Sequence, residues 1–383
     1  MKKILLGTTA IAAAALYAQS AQAQITVSLG GYTEFFGAYY DDDIPGRTSR
    51  EFQLETEIVV RADGKADNGL LYGAKVELQN STGGTAGSTG VGTDEASVYL
   101  SGTWGRIELG DFDGAADTLA IYAPLVGIEQ IDGDAYDFLD TGTATPVRFG
   151  AQPFFGLVKA PDSGDATKVM YLTPRFAGVQ AGVSYATQNG SEAQSVVALK
   201  SQTAGYKDFW EFGANYTGTF AGFSVAAGAT GSMASGEDRQ FPPFTTAATQ
   251  LEDFFAWQAG AQLGYAGFKF GGGYIDGDDF GALRNTEAGD ATAWHVGASY
   301  TAGPFAVGVT YADAEGAKAG FTTYASDYKT YGGGVAYTLA PGFVVQADLM
   351  YVDEDLVGVG PTNTGVTADN EGYVAVLGAR LNF

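Results

Sequence analysis

Residues 372–383 read GYVAVLGARLNF. Drawn as an extended strand, Tyr373, Ala375, Leu377, Ala379, Leu381 and Phe383 share one face, and Val374, Val376, Gly378, Arg380 and Asn382 share the other. The first face is wholly apolar or aromatic, so it suits lipid. The second accepts the Arg380 guanidinium one step away, which fits a strand that divides lipid from water.

Working outward, the opposite end of the chain indicates the compartment. Lys2 and Lys3 precede an apolar run from Ile4 to about Tyr17, followed by Ala21-Gln22-Ala23, a small-x-small cleavage pattern. Residues 1–23 are therefore expected to be a signal peptide, with residues 24–383 forming the exported domain. No apolar stretch in that domain approaches the roughly 20 residues a membrane helix needs. Mean hydropathy is −0.01, the average that two opposed faces, one apolar and one polar, produce in a strand-built membrane protein. Cysteine is absent, which rules out disulfide staples. The net charge of −24 repels phosphate backbones and argues against a nucleic-acid partner.

From Gln24 onward the chain divides into sixteen alternating segments of about ten residues, punctuated by Gly, Asp, Asn and Pro. In the second segment Phe52, Leu54, Ile58 and Val60 alternate with Gln53, Glu55, Glu57 and Arg61. A soluble strand with so many charges on its inner face could not pack a core. Five later hairpins repeat a single plan, with a Tyr shortly before a short turn and a Phe shortly after it, as at Tyr265 and Phe268. Their parity places these rings outward at one interface, as half of an aromatic girdle. The opposite connections are long, as in residues 80–94, 232–249, 276–290 and 353–370, and are expected outside the cell. A backbone in hydrocarbon must pair all its amides internally, so the expected fold is all-β: a 16-stranded antiparallel transmembrane β-barrel. A ring that wide holds water rather than side chains alone.

The longest connection, residues 112–166, exceeds fifty residues and is far longer than a hairpin needs. It begins with Asp111-Phe112-Asp113-Gly114-Ala115-Ala116-Asp117 and continues through Glu129, Asp132, Asp134, Asp137 and Asp140. The segment WGRIELGDFDGAAD, Trp104 to Asp117, resembles the junction leading into the third loop of Gram-negative general-diffusion porins, closest to the Rhodobacter-type porins of alphaproteobacteria. The turn from Tyr171 to Gly178 and the terminal strand ending on Phe383 are similar to that family as well. One departure is Pro124-Leu125-Val126-Gly127-Ile128-Glu129, where enterobacterial porins carry a Pro-Glu-Phe-Gly-Gly-Asp type of run. The resemblance implies that loop 3 folds into the lumen and opposes its acidic residues Glu129, Asp132, Asp134, Asp137 and Asp140 to a basic wall. Parity supplies the wall independently: Arg61, Lys75, Arg106 and Arg380 all fall on inward positions.

The expected function is passive diffusion of small hydrophilic solutes and ions across the outer membrane, with mild cation selectivity from the acidic loop. A solute-selective porin and a structural or adhesive barrel are the alternatives. The resemblance also implies a homotrimer set among outer-membrane lipid and lipopolysaccharide, with residues 80–94 latching over a neighbour. No cofactor is expected. Asp132 and Asp134 are candidates for a structural Ca²⁺, although their spacing lacks the full pattern of a known calcium loop. The lone histidine, His295, has no second histidine or cysteine with which to complete a transition-metal site, and no catalytic constellation stands out. Gly271-Gly272-Gly273 and Gly332-Gly333-Gly334 lie within strands, where close backbone approach or bending accounts for them.

Overall fold

A computed structural model describes residues 25–43, 48–80, 91–127, 138, 159–188, 205–236, 251–280, 291–315, 324–358 and 366–383. The expected signal peptide and residues 81–90 lie outside these. So do Glu129, Asp132, Asp134, Asp137 and Asp140.

The described residues form sixteen antiparallel strands. They are β1 (Thr26–Asp42), β2 (Arg50–Lys65), β3 (Leu71–Gln79), β4 (Gly92–Gly102), β5 (Gly105–Asp111), β6 (Thr167–Leu172), β7 (Val179–Gln188) and β8 (Tyr206–Phe220). The ring continues with β9 (Phe223–Gly236), β10 (Phe254–Tyr265), β11 (Phe268–Asp278), β12 (Ala291–Ala302), β13 (Phe305–Glu315), β14 (Tyr324–Ala340), β15 (Phe343–Gly358) and β16 (Val366–Asn382). Each strand pairs with its sequence neighbours, and β1 pairs with β16 to close the barrel. At that seam Tyr32 faces Asn382 and Asp42 faces Gly372. The Gly31 and Phe383 backbones exchange two hydrogen bonds of 3.0 Å, so the last residue is stitched to the first strand. Closure leaves no sheet edge to be satisfied in lipid.

Alternation sets which face meets what. Leu54, Val98, Leu263 and Leu377 are exposed on the outside, whereas their inward neighbours are buried or half-buried. The short turns explain why the register holds. Ala177-Gly178, Ala221-Gly222 and Ala266-Gly267 each have two successive residues with positive φ, the geometry of a type I′ hairpin turn. At this end Phe223 stacks on Tyr265 and Phe268 packs on Tyr300, which is the expected girdle. A second girdle circles the other end, where Tyr185 packs on Trp210, Trp257 on Tyr274, and Trp294 on Tyr311. Tyr331, Tyr351 and Tyr373 continue this ring toward the seam.

Two expectations need correction. The strands next to the long connections run further than expected: β9 to Gly236, β11 to Asp278 and β15 to Gly358. Beyond the second girdle the outward positions turn acidic, as with Asp276, Asp313 and Asp353, so the apolar alternation ends while the hydrogen-bonded ladder continues. The second correction concerns the interior, which is polar on only part of its circumference. Phe36, Tyr40, Tyr206, Phe209, Phe254, Ile275, Tyr328, Met350, Val374 and Val376 face inward and form a buried apolar cluster. Phe138 of the long connection belongs to it, with its ring 6.4 Å from that of Tyr40. Side chains buried this completely each stabilise the fold by about 1.5–3 kcal/mol.

Candidate functional site

The connection between β5 and β6 enters the barrel. Its outgoing limb forms a one-turn helix, α1 (Ala115–Thr118), which lies against β6, β7, β8 and β9. An extended limb follows to Gly127. A backbone that leaves the sheet needs other partners for its amides and carbonyls, and inward polar side chains of β6 to β10 supply them. Ser184 accepts from Ala115 N at 2.9 Å, and Glu211 accepts from Ala116 N at 3.2 Å. Asn215 donates to Leu119 O at 3.2 Å, and Gln262 donates to Tyr122 O at 2.6 Å. The returning limb is held in the same manner. Ala160 N donates to Gln258 at 2.7 Å, Ser232 donates to Pro161 O, and Ser163 donates to Glu211 through both N and Oγ.

The wall beneath the outgoing limb is also shaped for it. A methyl group at Gly260 would overlap the Ile121 carbonyl oxygen, and one at Gly297 would lie 2.9 Å from Pro124 O. Gly228 and Gly308 meet Leu119 O and Val126 at similarly short range. A track of glycines on β9, β10, β12 and β13 therefore lets the limb lie directly on the sheet. These positions carried no sequence signal separating them from other strand glycines.

The inner faces of β2 to β5, with the start of β1 and the end of β16, are largely polar and partly accessible. Arg61, Lys75, Arg106 and Arg380 all lie on this wall. Arg61 is opposite Lys75 in the ladder and is exposed. Lys75, Arg106 and Arg380 keep 22%, 36% and 33% of their side-chain surface accessible, so solvent reaches them. They do not form an isolated basic patch, because acids stand among them. Lys75 Nζ donates to Glu77 at 3.0 Å and also to Glu95. Arg106 Nε donates to Glu108 at 2.8 Å while its guanidinium lies 3.9 Å above the Tyr99 ring. Arg380 donates to Glu34 at 3.2 Å and lies 3.8 Å above Tyr32. The two tyrosines are fixed in turn, Tyr32 donating to Glu55 at 2.7 Å and Tyr99 to Asp63 at 2.5 Å.

Carboxylates thus outnumber bases on this wall among the described residues. Glu57, Glu77 and Asp94 hold carboxylate oxygens within 4.8 Å of one another, and Glu95, Asp113 and Asp165 form a second such group. Oxygen donors of this kind suit a hard divalent cation, but the Lys75 ammonium already touches one carboxylate of each group. At the root of loop 3, burial pushes Asp117 up to about 7, a rise that Asp113 and Asp162 reinforce and Lys159, 3.1 Å away, opposes. Burial and then the Glu211 charge bring Asp162 to about 6. Burial, followed by Asp113, Asp94 and Glu95, brings Asp165 to about 7. His295 is buried on the inner face of β12, beside Gly273.

Several known proteins share this architecture. A family profile described as Gram-negative porin matches residues 7–356. A porin of Rhodobacter capsulatus is 34% identical over 81 residues, which is 21% of this chain and 25% of that protein, so the alignment spans about a quarter of the curated relative. Among solved structures, a triple mutant of Rhodopseudomonas blastica porin superposes with a TM-score of 0.56 at 18% identity, covering 94% of this chain and 100% of the other. A further mutant of the same porin gives 0.56 at 17% identity with the same coverage. The profile spans nearly the whole length and the closed sixteen-strand barrel has the matching fold: this chain belongs to the Gram-negative porin family, multi-pass β-barrels of the outer membrane.

Proposed function

We propose that this porin is a general-diffusion channel for small hydrophilic solutes and ions, with a mild preference for cations. The observation that carries the reading is the uneven interior. Loop 3 and most of the apolar cluster lie along β6 to β15, while the face of β2 to β5, with the start of β1, is largely polar and partly solvent-accessible. Glu34, Glu55, Glu57, Asp63, Glu77, Glu95 and Glu108 outnumber Arg61, Lys75, Arg106 and Arg380 along it. A narrow passage bordered by excess negative charge concentrates cations. The acidic loop residues Glu129, Asp132, Asp134, Asp137 and Asp140 would add to that field from the opposite side.

The working assembly is a homotrimer with β1 to β5 and β16 at the interface, surrounded by outer-membrane lipid and lipopolysaccharide. The outer face of β4 and β5 supports this arrangement: Val98, Leu100 and Leu109 are exposed and aliphatic there, whereas the outer faces of β7 to β15 carry girdle aromatics. Membrane-facing protein surfaces that lack an aromatic belt suit protein neighbours better than headgroups. Planar-bilayer recordings of the purified protein test the channel. Large, substrate-insensitive steps with a reversal potential favouring potassium over chloride are expected. Saturable block by a single sugar would replace this reading with a solute-selective porin, and absence of conductance would replace it with a structural barrel.

A further inference from the structure

Three buried side chains join the two limbs of loop 3 to each other as well as to the wall. The Glu211 carboxylate on β8, with 1% of its surface exposed, accepts from Ala116 N on the outgoing limb and from Ser163 N and Oγ, at 3.1 and 2.5 Å, on the returning limb. Gly114 passes so close to that carboxylate that a methyl group there would overlap it. The Lys168 ammonium on β6, 3% exposed, makes the converse connection. It donates to Phe112 O at 2.5 Å on the outgoing limb and to Gly164 O on the returning limb. Gln258 on β10 accepts from Ala160 N and donates to Ala116 O at 3.5 Å. One anion thus gathers amide and hydroxyl protons, one cation gathers carbonyls, and an amide does both.

Hydrogen bonds to charged groups are stronger than neutral ones, and a buried charge deprived of its partners is costly. A loop of this length would otherwise sample many positions within a water-filled ring. We infer that Glu211 and Lys168, with Gln258 beside them, are positioning residues of the channel: they fix the root of loop 3 and thereby set the cross-section left for solutes. Neither residue touches the solute. The inference rests on the channel reading above and adds a determinant of pore size on the side of the barrel away from the charged wall.

The test compares wild type with Glu211→Gln, Lys168→Met and Ser163→Ala in proteoliposomes, using swelling rates for a series of sugars and polyols of increasing size. Single-channel conductance and thermal unfolding are measured on the same samples. Gln presents an amide donor where three donors converge, so Glu211→Gln is expected to admit the largest excluded sugar at least twofold faster and to broaden the conductance steps. Glu211→Asp, which retains the charge, should restore part of the wild-type limit. The unfolding temperature of the barrel should stay within a few degrees of wild type, because every strand ladder is intact. Should a charged-residue variant fail to assemble, Ser163→Ala decides, since it removes one donor and leaves both charges in place. Wild-type conductance with the same exclusion limit in every assembled variant would overturn the inference and leave the channel reading standing. Silence of the wild type itself would instead remove the channel reading.

Discussion

Arg380 and Glu34 meet at 3.2 Å across the seam where the last strand pairs with the first. Glu34 is 3% exposed and Arg380 about a third exposed, so the acid depends on the base more than the base depends on the acid. Removing the partner of a buried charge costs about 3–5 kcal/mol when water cannot replace it. Here water reaches the Arg380 side, and Arg380→Ala is expected to destabilise the barrel by on the order of 2 kcal/mol. The measurement is the temperature at which the folded band in detergent gels shifts to the unfolded one. Arg380→Leu/Glu34→Leu should recover much of the loss, because it leaves no charge stranded.

Acidification should weaken cation preference well above the range of ordinary carboxylates, which titrate near pH 4. Asp117 and Asp165 are raised to about 7 and Asp162 to about 6, in each case chiefly by burial. Lowering the pH from 8 to 5 therefore removes negative charge from the root of loop 3. Reversal potentials in a potassium chloride gradient should move toward zero with a midpoint between pH 6 and 7. The stability sign follows from proton linkage. Raised folded-state values mean that the folded protein holds protons the unfolded chain has released, so melting temperature should rise as pH falls from 8 to 6. A preference unchanged until pH 4 would show that these carboxylates do not act on passing ions.

Lys75 touches both carboxylate groups, through Glu77 and Glu95. Lys75→Gln removes its positive charge while keeping a hydrogen-bonding head. Unit charges about 4 Å apart in water interact by about 1 kcal/mol, so the change in ion preference should be about two- to fivefold toward cations. Bi-ionic reversal potentials measure it directly. Because exposed charges are screened over about 8–10 Å at physiological salt, the effect should shrink at molar salt.

The barrel was legible in the sequence because one period, two residues, governs both lipid contact and strand geometry. Tyr373 to Phe383 and Phe52 to Val60 alternate as the structure requires, and the ends of β5 at Asp111 and β6 at Thr167 fall where the pattern breaks. Legibility failed where the two causes separate. Beyond the second girdle the ladder of β15 continues to Gly358 while its outer face turns acidic, so hydropathy ended the strand too early. The site was legible in direction only. Parity put Arg61, Lys75, Arg106 and Arg380 on the inner face, but the pairing of Lys75 with Glu95 across the irregular β3–β4 register, and of Arg380 with Glu34 across the closing seam, depends on neighbours that parity alone does not name. The roles of Glu211, Lys168 and Gln258 were hidden for the same reason. An inward polar residue on a barrel strand reads as water-facing, and only the path of loop 3 makes it an anchor.

That path gives the last prediction. Gly260 lies directly under the Ile121 carbonyl, so a side chain there cannot coexist with the present course of the limb. The sheet is held by ladders on both sides of β10, while the limb at Ile121 is held by hydrogen bonds from single side chains. The limb must therefore yield, and the only free direction is toward the lumen. Overpacking of this kind costs roughly 1–3 kcal/mol, which a barrel with continuous ladders can absorb. Gly260→Val should fold, yet show a smaller single-channel conductance and a lower size limit than wild type. Gly333→Ala is the control, since an added methyl there meets nothing nearer than 3.8 Å. Equal conductance in the two variants would mean that the outgoing limb does not border the open passage.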